Sequence, residues 1–299
     1  MSPSGKTGRT QALSEEQEFL VKFWGVRGSV PCSSPSTRRY GGNTSTLEVR
    51  CGSYLLIFDA GTGLRYLSKE LLRESNLNAK LFLSHTHYDH ICGFPFFSPG
   101  FVPSNKIEIW AGHLLPKYKI QNVLGDVMRE PIWPVGLEIF QSEISYHDFS
   151  AGETLYPYPG VKLRTCALAH TNGATGYRVE FGGHSLCYLT DTEHTPGSPD
   201  RNILDLIEGA DLVIYDSMLT DEEYELRVGW GHSTWEEGVR LCDMANVGQF
   251  CVFHHDPDHD DEFMDNIAIE MEKVRPGSVV AREGMVLKPG RPESVSVEQ

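Results

Sequence analysis

Short runs of apolar residues, separated by Gly, Pro and Ser, recur along the chain from Phe19 onward. Runs of this length and composition are typical of β-strands. They predict strands over 20–25, 45–50, 54–59, 80–84, 106–112, 161–169, 175–181, 185–191, 211–216 and 250–254, with two more near the end in SVVAR and GMVLK. Apolar residues spaced three and four apart predict helices over 64–74, 117–130, 202–208, 233–246 and 261–274.

The order of these elements indicates the fold class. Strands and helices are mixed in both halves, and many strands follow one another through short links. This mixture predicts two mixed β-sheets packed face to face, with helices on the outside. No linker or change of composition divides the chain, so we expect a single domain over residues 19–299. Residues 1–18 are polar and aperiodic, and we expect them to form a flexible tail.

Composition narrows the class of protein. The 299 residues are 40% hydrophobic and 22% charged, as in globular proteins. The net charge of −15 argues against a long nucleic acid as partner, because phosphate binding draws on Lys and Arg. A single phosphate held by a metal ion remains compatible with that charge. No apolar run reaches the roughly 18 residues of a membrane span, and the first residues lack the apolar centre of a secretory signal. We therefore expect a cytoplasmic protein without membrane association.

The seven cysteines do not suggest a binding site. Their number is odd, and no C-x-x-C pair occurs. This pattern argues against a disulfide framework and against a cysteine-based zinc site. We expect reduced, mostly buried thiols.

The sequence HTHYDH, residues 85–90, is the strongest chemical signal. It follows the apolar strand 80–84 directly, and it carries His85, His87, Asp89 and His90 within six residues. Three imidazoles and a carboxylate at one strand end are suitable ligands for Zn²⁺ and related divalent ions. The motif therefore predicts a metal site.

Further polar residues stand at the ends of other predicted strands. His170 ends one run, Asp191 ends another, and the pair His254 and His255 ends a third. Each alone is as easily a surface or turn residue, but together they extend the metal-ligand pattern. Asp59 also ends a strand, and two interpretations stay open for it. Its carboxylate either orients a metal-bound histidine or stabilises its own turn.

With these motifs, residues 19–288 resemble the metallo-β-lactamase fold superfamily of metallohydrolases. The resemblance implies an α/β protein, a four-layer αββα sandwich with two divalent metal ions at one edge of the sheets. By the same resemblance, His85, His87 and His170 would bind the first ion, Asp89, His90 and His254 the second, and Asp191 would bridge them. His255 is the alternative to His254. Zn²⁺ is the first expectation for the metal, with Mn²⁺ and Fe²⁺ as alternatives, because His-rich sites accept several ions. A homodimer is also implied.

The stretch Gly231-His232-Ser233-Thr234 suggests the chemistry. It resembles the His-Ser-Thr motif of the superfamily's phosphodiesterase branch, which includes ribonuclease Z and class II cyclic-nucleotide phosphodiesterases. The resemblance implies that His232 acts with Asp89 and Asp191 in catalysis, where it would protonate the leaving alkoxide or hydrogen-bond the phosphoryl oxygen. Alternatively, His232 only packs against Trp230 or Trp235. Ser233 and Glu236 match a capping box at the start of the following helix.

The substrate is less well specified. Only 20 residues separate His170 from Asp191, which is enough for two strands and a tight turn but not for an extruded RNA-binding arm. Ribonuclease Z enzymes commonly carry such an arm between these positions, so the short spacing and the acidic net charge favour a small-molecule phosphodiester. The stretches FWGVRGSVP, RYGGNTS and FHHDPDHDD resemble a bacterial subgroup near the class II cyclic-nucleotide phosphodiesterases, and this resemblance implies a 3′,5′-cyclic nucleotide first. The alternatives are a nuclease or other phosphodiesterase acting on larger substrates, a thioester or lactam hydrolase, and a nucleotide-binding module without turnover.

Several loop residues are weaker candidates for contacts with substrate. Arg27, Arg38, Arg39 and Asn43 could hold a phosphate or a base, or they could be solvated loop residues. The aromatic segment 94–101 could stack a base or pack in the core, and His259 could support a metal ligand.

Overall fold

The computed structural model describes residues 18–297. Apart from Glu18, the predicted tail over residues 1–18 lies outside the described residues. The described part contains fifteen strands and seven α-helices. Four short 3-10 helices complete it: Pro35–Thr37, Phe94–Phe96, Ser98–Phe101 and Leu137–Ile139.

The first sheet has eight strands. In spatial order these are β15 (Ser296–Val297), β14 (Met285–Leu287), β1 (Phe19–Gly25), β2 (Thr46–Cys51), β3 (Tyr54–Phe58), β4 (Asn78–Leu83), β5 (Lys106–Ala111) and β6 (Glu143–Asp148). Strands β3 to β6 run parallel to one another, with Phe58 opposite Phe82 in the β3–β4 pair. The carboxyl ends of these four strands therefore meet at one edge of the sheet.

The second sheet has seven strands. In spatial order these are β13 (Val279–Val280), β12 (Gln249–Phe253), β11 (Leu212–Asp216), β10 (His184–Leu189), β9 (Ala174–Phe181), β8 (Val161–Leu168) and β7 (Thr154–Tyr158). Strands β10 to β13 are parallel, whereas β7 to β10 pair antiparallel. The parallel group again brings several carboxyl ends to one edge.

Helices cover the outer faces of both sheets. They are α1 (Leu64–Leu71), α2 (Tyr88–Ile91), α3 (Ile120–Val127), α4 (Arg201–Ile207), α5 (Asp221–Arg227), α6 (Trp235–Met244) and α7 (Asp261–Val274). Apolar residues of α1 and α3 pack on the first sheet, and those of α4, α6 and α7 pack on the second. The predicted four-layer αββα sandwich is confirmed.

Aromatic side chains fill the space between the two sheets. Phe58 and Phe82 of the first sheet stack with their ring centroids 5.6 Å apart. Tyr177 and Tyr188 of the second sheet pack against Phe58 at centroid distances of 5.2 and 5.8 Å. The hydroxyl group of Tyr177 donates to the backbone oxygen of Leu83, so this buried polar group has a hydrogen-bond partner.

Some predicted boundaries differ from the structure. The helix predicted over 117–130 is shorter, since α3 spans Ile120–Val127. Helices α2 and α5 and strands β6, β7 and β15 were not predicted, and each of them is short, with at most seven residues.

The predicted capping box of Ser233 and Glu236 is wrong. The side chain of Thr234 caps α6 by accepting from the amide of Glu237, at 3.0 Å. The hydroxyl of Ser233 is instead held between two other side chains, His194 and Tyr215.

All seven cysteines are free, and five are buried, as expected. Among residues 18–297, none of the helices combines the length and apolarity that a membrane crossing requires.

Candidate metal centre and active site

The site lies where carboxyl ends of strands from both sheets meet. Asp59 and His85 follow β3 and β4 of the first sheet, and Asp191 and His254 follow β10 and β12 of the second. Asp216 is the last residue of β11. Because parallel strands end at the same edge, side chains distant in sequence converge there.

Three of these residues have an unusual backbone. Asp59, Asp191 and His254 have φ values of 60°, 57° and 63°, in the left-handed region that residues other than glycine rarely adopt. Each such residue costs about 1–3 kcal/mol and persists only where its surroundings hold it. Three residues with this backbone at one edge of the two sheets are typical of a functional site.

The first cluster consists of His85, His87 and His170, whose ring nitrogens lie within 4.8 Å of one another. The closest pair is His170 Nε2 and His87 Nδ1, at 3.0 Å. One oxygen of Asp191, Oδ1, lies 3.7 Å from His85 Nε2 and 3.6 Å from His170 Nε2. Burial lowers the pKa of all three imidazoles. They are therefore neutral, as metal-binding histidines must be.

The second cluster consists of Asp89, His90 and His254. The other oxygen of Asp191, Oδ2, lies 3.1 Å from the Nε2 atoms of both His90 and His254. Asp89 Oδ2 lies 3.2 Å from His90 Nε2 and 3.6 Å from His254 Nε2. The two oxygens of one carboxylate thus face different clusters.

The donor atoms fit divalent metal ions. His85 Nε2 is buried, and it has no hydrogen-bond partner among the described residues. A buried polar atom without a partner is costly, and a metal ion at that nitrogen would remove the cost. Imidazole nitrogens and carboxylate oxygens together suit Zn²⁺, Mn²⁺ and Fe²⁺.

The structure distinguishes His254 from His255. His254 lies in the second cluster, whereas the Nε2 of His255 donates to the backbone oxygen of Ala281 at 2.8 Å. Only His254 of the pair is therefore brought to the candidate metal centre.

Asp59 is placed behind His90. Its Oδ2 lies 2.9 Å from His90 Nδ1, and the hydroxyl of Tyr188 donates to the same oxygen at 2.7 Å. The backbone amide of Ser84 donates to Oδ1 at 2.7 Å. The carboxylate therefore fixes the ring of His90 and leaves its Nε2 facing the cluster, as the first of the two interpretations requires.

His232 lies beside both clusters. Its Nδ1 is 3.0 Å from Asp216 Oδ2 and 3.9 Å from Asp191 Oδ1. Burial alone would lower its pKa, but the charges of Asp216, Asp191 and Asp89, together with the hydrogen bond to Asp216, raise the pKa to about 9. The rings that His232 contacts are those of His170 and His254, at centroid distances of 5.5 and 5.2 Å, and not those of Trp230 or Trp235.

Two residues of the site, Asp216 and Glu193, were not predicted from the sequence. Asp216 ends the apolar strand LVIYD, the same signal that identified Asp191. Glu193 accepts hydrogen bonds from the amides of Gly229 and Gly231, at 2.6 and 2.7 Å, and so fixes the loop before His232. Gly231 has φ 87°, and its carbonyl lies 2.7 Å from His170 Nδ1.

Arg38, one of the loop residues proposed for phosphate contact, is exposed, and the other three have partners away from the clusters. Arg27 is buried, and its Nη1 donates to the backbone oxygens of Asp256 and His259, at 2.9 and 2.6 Å. It therefore braces the turn after His254. Arg39 forms an ion pair with Asp265.

The remaining weaker candidates also have structural partners. Asn43 donates through Nδ2 to Glu283. The Nε2 of His259 lies 2.8 Å from a carboxylate oxygen of Glu223. In the aromatic segment, Phe94 and Phe97 belong to the core. None of these side chains touches the clusters.

Comparison with known proteins identifies the family. A family model described as "Beta-lactamase superfamily domain" matches residues 55–255, more than half of the chain. The chain belongs to the beta-lactamase superfamily. The matched range contains the HTHYDH motif, His170, Asp191, His232 and the two histidines 254 and 255. The resemblance expected from the sequence is confirmed.

Individual members of the beta-lactamase superfamily resemble the chain over most of its length. Ribonuclease Z of Brevibacillus brevis is 23% identical, and the alignment covers 88% of this chain and 94% of that protein. The metallo-beta-lactamase fold protein YhfI from Bacillus subtilis has a TM-score of 0.67 at 20% identity, covering 91% and 99% of the two chains. A diphosphatase from the PhnP family has a TM-score of 0.64 at 20% identity, covering 90% and 97%. These structures share the fold.

Proposed function

We propose that the chain is a dinuclear metal-dependent phosphodiesterase. The division of the two oxygens of Asp191 between the clusters, with His232 beside them, carries the proposal. One ion would be held by His85, His87 and His170, and the other by Asp89, His90 and His254. Asp191 would bridge them. Two divalent ions bound there would supply an ionised water and positive charge for the phosphoryl oxygens.

The chain's own groups supply orientation and a proton. Asp59 holds the ring of His90 through Nδ1, and Asp216 holds the ring of His232 through Nδ1. The Nε2 of His232 is thereby left to protonate the leaving oxygen. An alkoxide is a poor leaving group, so such a proton transfer is worth about 10²–10⁴-fold in rate. A thioester releases a thiolate, which is a better leaving group than an alkoxide and gains less from such a proton transfer.

The relatives support the enzyme class. A ribonuclease Z in the sequence comparison and a diphosphatase in the structural comparison both act on phosphate esters or anhydrides. They support the predicted class, a metal-dependent phosphoric diester hydrolase. The expected cyclic nucleotide, the identity of the metal, the homodimer and the cytoplasmic location stay predictions.

A small substrate is supported by the chain between His170 and Asp191. It forms only β9 and β10, joined by the turn Gly182-Gly183, so no RNA-binding arm extends there. The net charge of −15 also favours a small substrate over RNA. We therefore place a 3′,5′-cyclic nucleotide first. The ribonuclease Z relative makes RNA the second candidate.

The test is turnover after controlled metal loading. The protein is stripped of metal, reloaded separately with Zn²⁺ or Mn²⁺, and its metal content is measured. Turnover is then measured on 3′,5′-cyclic nucleotides, bis(p-nitrophenyl) phosphate, a single-stranded RNA, S-lactoylglutathione and a chromogenic lactam. We expect metal-dependent hydrolysis concentrated on one cyclic nucleotide. Cleavage of RNA alone would select the second candidate. Turnover of only the thioester or the lactam would overturn the phosphodiesterase proposal.

A further inference from the structure

A cavity of about 710 Å³ adjoins the first cluster at His85 and His87. We call it the side cavity. Its other walls are mainly apolar and come from α2, α3 and the flanking loops, including Ile91, Leu114, Val123, Val127 and Ile132. This volume is within the range of about 300–1,000 Å³ that small-molecule sites occupy. The side cavity can therefore receive a group as large as a nucleoside.

Unusually exposed apolar side chains surround the side cavity. Tyr88 is 69% exposed, Ile132 65%, Tyr118 52% and Leu115 40%, and all four line it. Large apolar side chains that face solvent together in a concave place mark binding surfaces. Because the cavity opens directly at the candidate metal centre, the occupant is part of the substrate.

His113 provides a polar contact in the same wall. Its Nε2 lies 3.1 Å from Thr86 Oγ1, whereas its Nδ1 is buried and has no hydrogen-bond partner among the described residues. A buried nitrogen without a partner favours a ligand that supplies one. The two charged residues of the lining have partners of their own, since Lys117 lies over the ring of Tyr118 and Asp126 forms an ion pair with Arg129. An uncharged ring with a hydrogen-bonding group suits such walls.

The position of the side cavity indicates which of the two ester groups of a phosphodiester substrate it would hold. The lining includes His85 and His87 but not His232, His170 or His254. The leaving oxygen must face His232, so the group in the side cavity is the ester group that stays on phosphorus. In the reaction, the oxygen of water forms a new bond to phosphorus, and the bond from phosphorus to the leaving oxygen breaks. The leaving oxygen takes a proton, and the retained group ends as a phosphate monoester.

We propose that the side cavity binds the retained ester group of the substrate, an uncharged ring-bearing group of nucleoside type, and that His113 determines specificity by a hydrogen bond to its ring. This inference rests on the proposed phosphodiesterase function. In a cyclic nucleotide both ester oxygens belong to one ribose, and the base would occupy the cavity.

The first test uses two diesters with the same leaving group. Phenyl p-nitrophenyl phosphate and methyl p-nitrophenyl phosphate differ only in the retained group. We expect kcat/KM to be at least tenfold higher for the phenyl diester. Val127→Trp fills the side cavity and should lower this phenyl-to-methyl ratio at least tenfold, whereas Ile269→Trp, on the outer face of α7, should leave the ratio unchanged. An equal ratio in the wild type and Val127→Trp would overturn the proposal.

The second test measures binding without turnover. Calorimetry should show at least tenfold tighter binding of phenyl phosphate than of methyl phosphate, and Val127→Trp should remove the difference. If no diester is hydrolysed, the proposed function fails, but this measurement still decides about the cavity. Equal binding of the two monoesters would overturn the inference.

The role of His113 is tested separately. His113→Ala should weaken the binding of thymidine 5′-monophosphate at least fivefold more than that of phenyl phosphate, because only the thymine ring can bond to Nδ1. Equal loss for both ligands would show that His113 contributes shape and not specificity.

Discussion

Asp216 accepts a hydrogen bond from the Nδ1 of His232, with Oδ2 and Nδ1 3.0 Å apart. The same carboxylate accepts from the backbone amides of Thr192 and Met218, at 3.0 and 3.2 Å. Thr192 follows Asp191 directly in the chain. One carboxylate therefore fixes the ring of His232 relative to the segment that carries the candidate bridging ligand.

The loss of His232 should depend on the leaving group. For a substrate that releases an alkoxide, such as a cyclic nucleotide, His232→Ala should lower kcat by about 10²–10⁴-fold. For a diester that releases p-nitrophenolate, the loss should be below about tenfold, because that anion leaves without a proton. Asp216→Asn should show the same dependence with smaller losses. Steady-state kinetics on both substrate types, together with metal content, checks this.

His184 offers a matched control. It forms a pair with Asp211 at 3.3 Å, at the opposite end of the same sheet. His184→Ala should leave kcat for both substrates unchanged. If His232→Ala lost activity equally on both kinds of substrate while retaining its metal, His232 would not be the proton donor.

Much of the candidate site could be predicted from local sequence. His85, His87, Asp89 and His90 lie in one loop that follows an apolar strand, so their proximity needs no knowledge of the rest of the fold. Asp191 could also be predicted, because it stands at the end of a clear apolar run. Both predictions used the same signal, a metal-ligand type of residue directly after an apolar strand.

The missing parts depend on contacts between distant segments. Asp216 has the same strand-end signal as Asp191, but its role exists only because the loop of His232 folds over it. His254 lies in the second cluster whereas His255 bonds to the backbone of Ala281, a segment distant in sequence, and spacing alone does not distinguish the two. Arg27 reaches the backbone oxygens of Asp256 and His259 across 229 and 232 positions. No local pattern encodes such a contact.

Removal of the candidate bridge should affect both metals. Asp191→Ala removes the oxygens that face the two clusters, and we expect metal content to fall by more than one equivalent per chain. His170→Ala should remove only the ion of the first cluster, because His170 contacts that cluster alone. Elemental analysis after dialysis checks both. Equal metal loss in the two variants would contradict a bridging role for Asp191.

Asp59 should control metal affinity without binding metal itself. Asp59→Asn weakens the acceptor that holds His90 Nδ1, and loss of such an outer partner typically costs 10–100-fold in metal affinity. Asparagine tolerates the left-handed backbone at this position, so the fold should persist. Competition with a chromogenic chelator measures the affinity. Tyr188→Phe, which removes one bond to Asp59, should have a smaller effect. Unchanged affinity in Asp59→Asn would assign the carboxylate to its turn alone.

Glu236 should make stability depend on pH. Burial, with a contribution from the nearby carboxylate of Asp221, raises its pKa to about 7. Because this pKa lies above the ordinary value of 4.5, the stabilising contribution is present below pH 4.5 and is lost as the pH rises through 7. Glu236→Gln cannot ionise, so its free energy of unfolding relative to wild type should be higher at pH 8 than at pH 5. We expect about 1 kcal/mol, since solvent screens a partly exposed carboxylate. Urea denaturation at both pH values measures it, with the exposed Glu270→Gln as control. A difference independent of pH would refute the assignment.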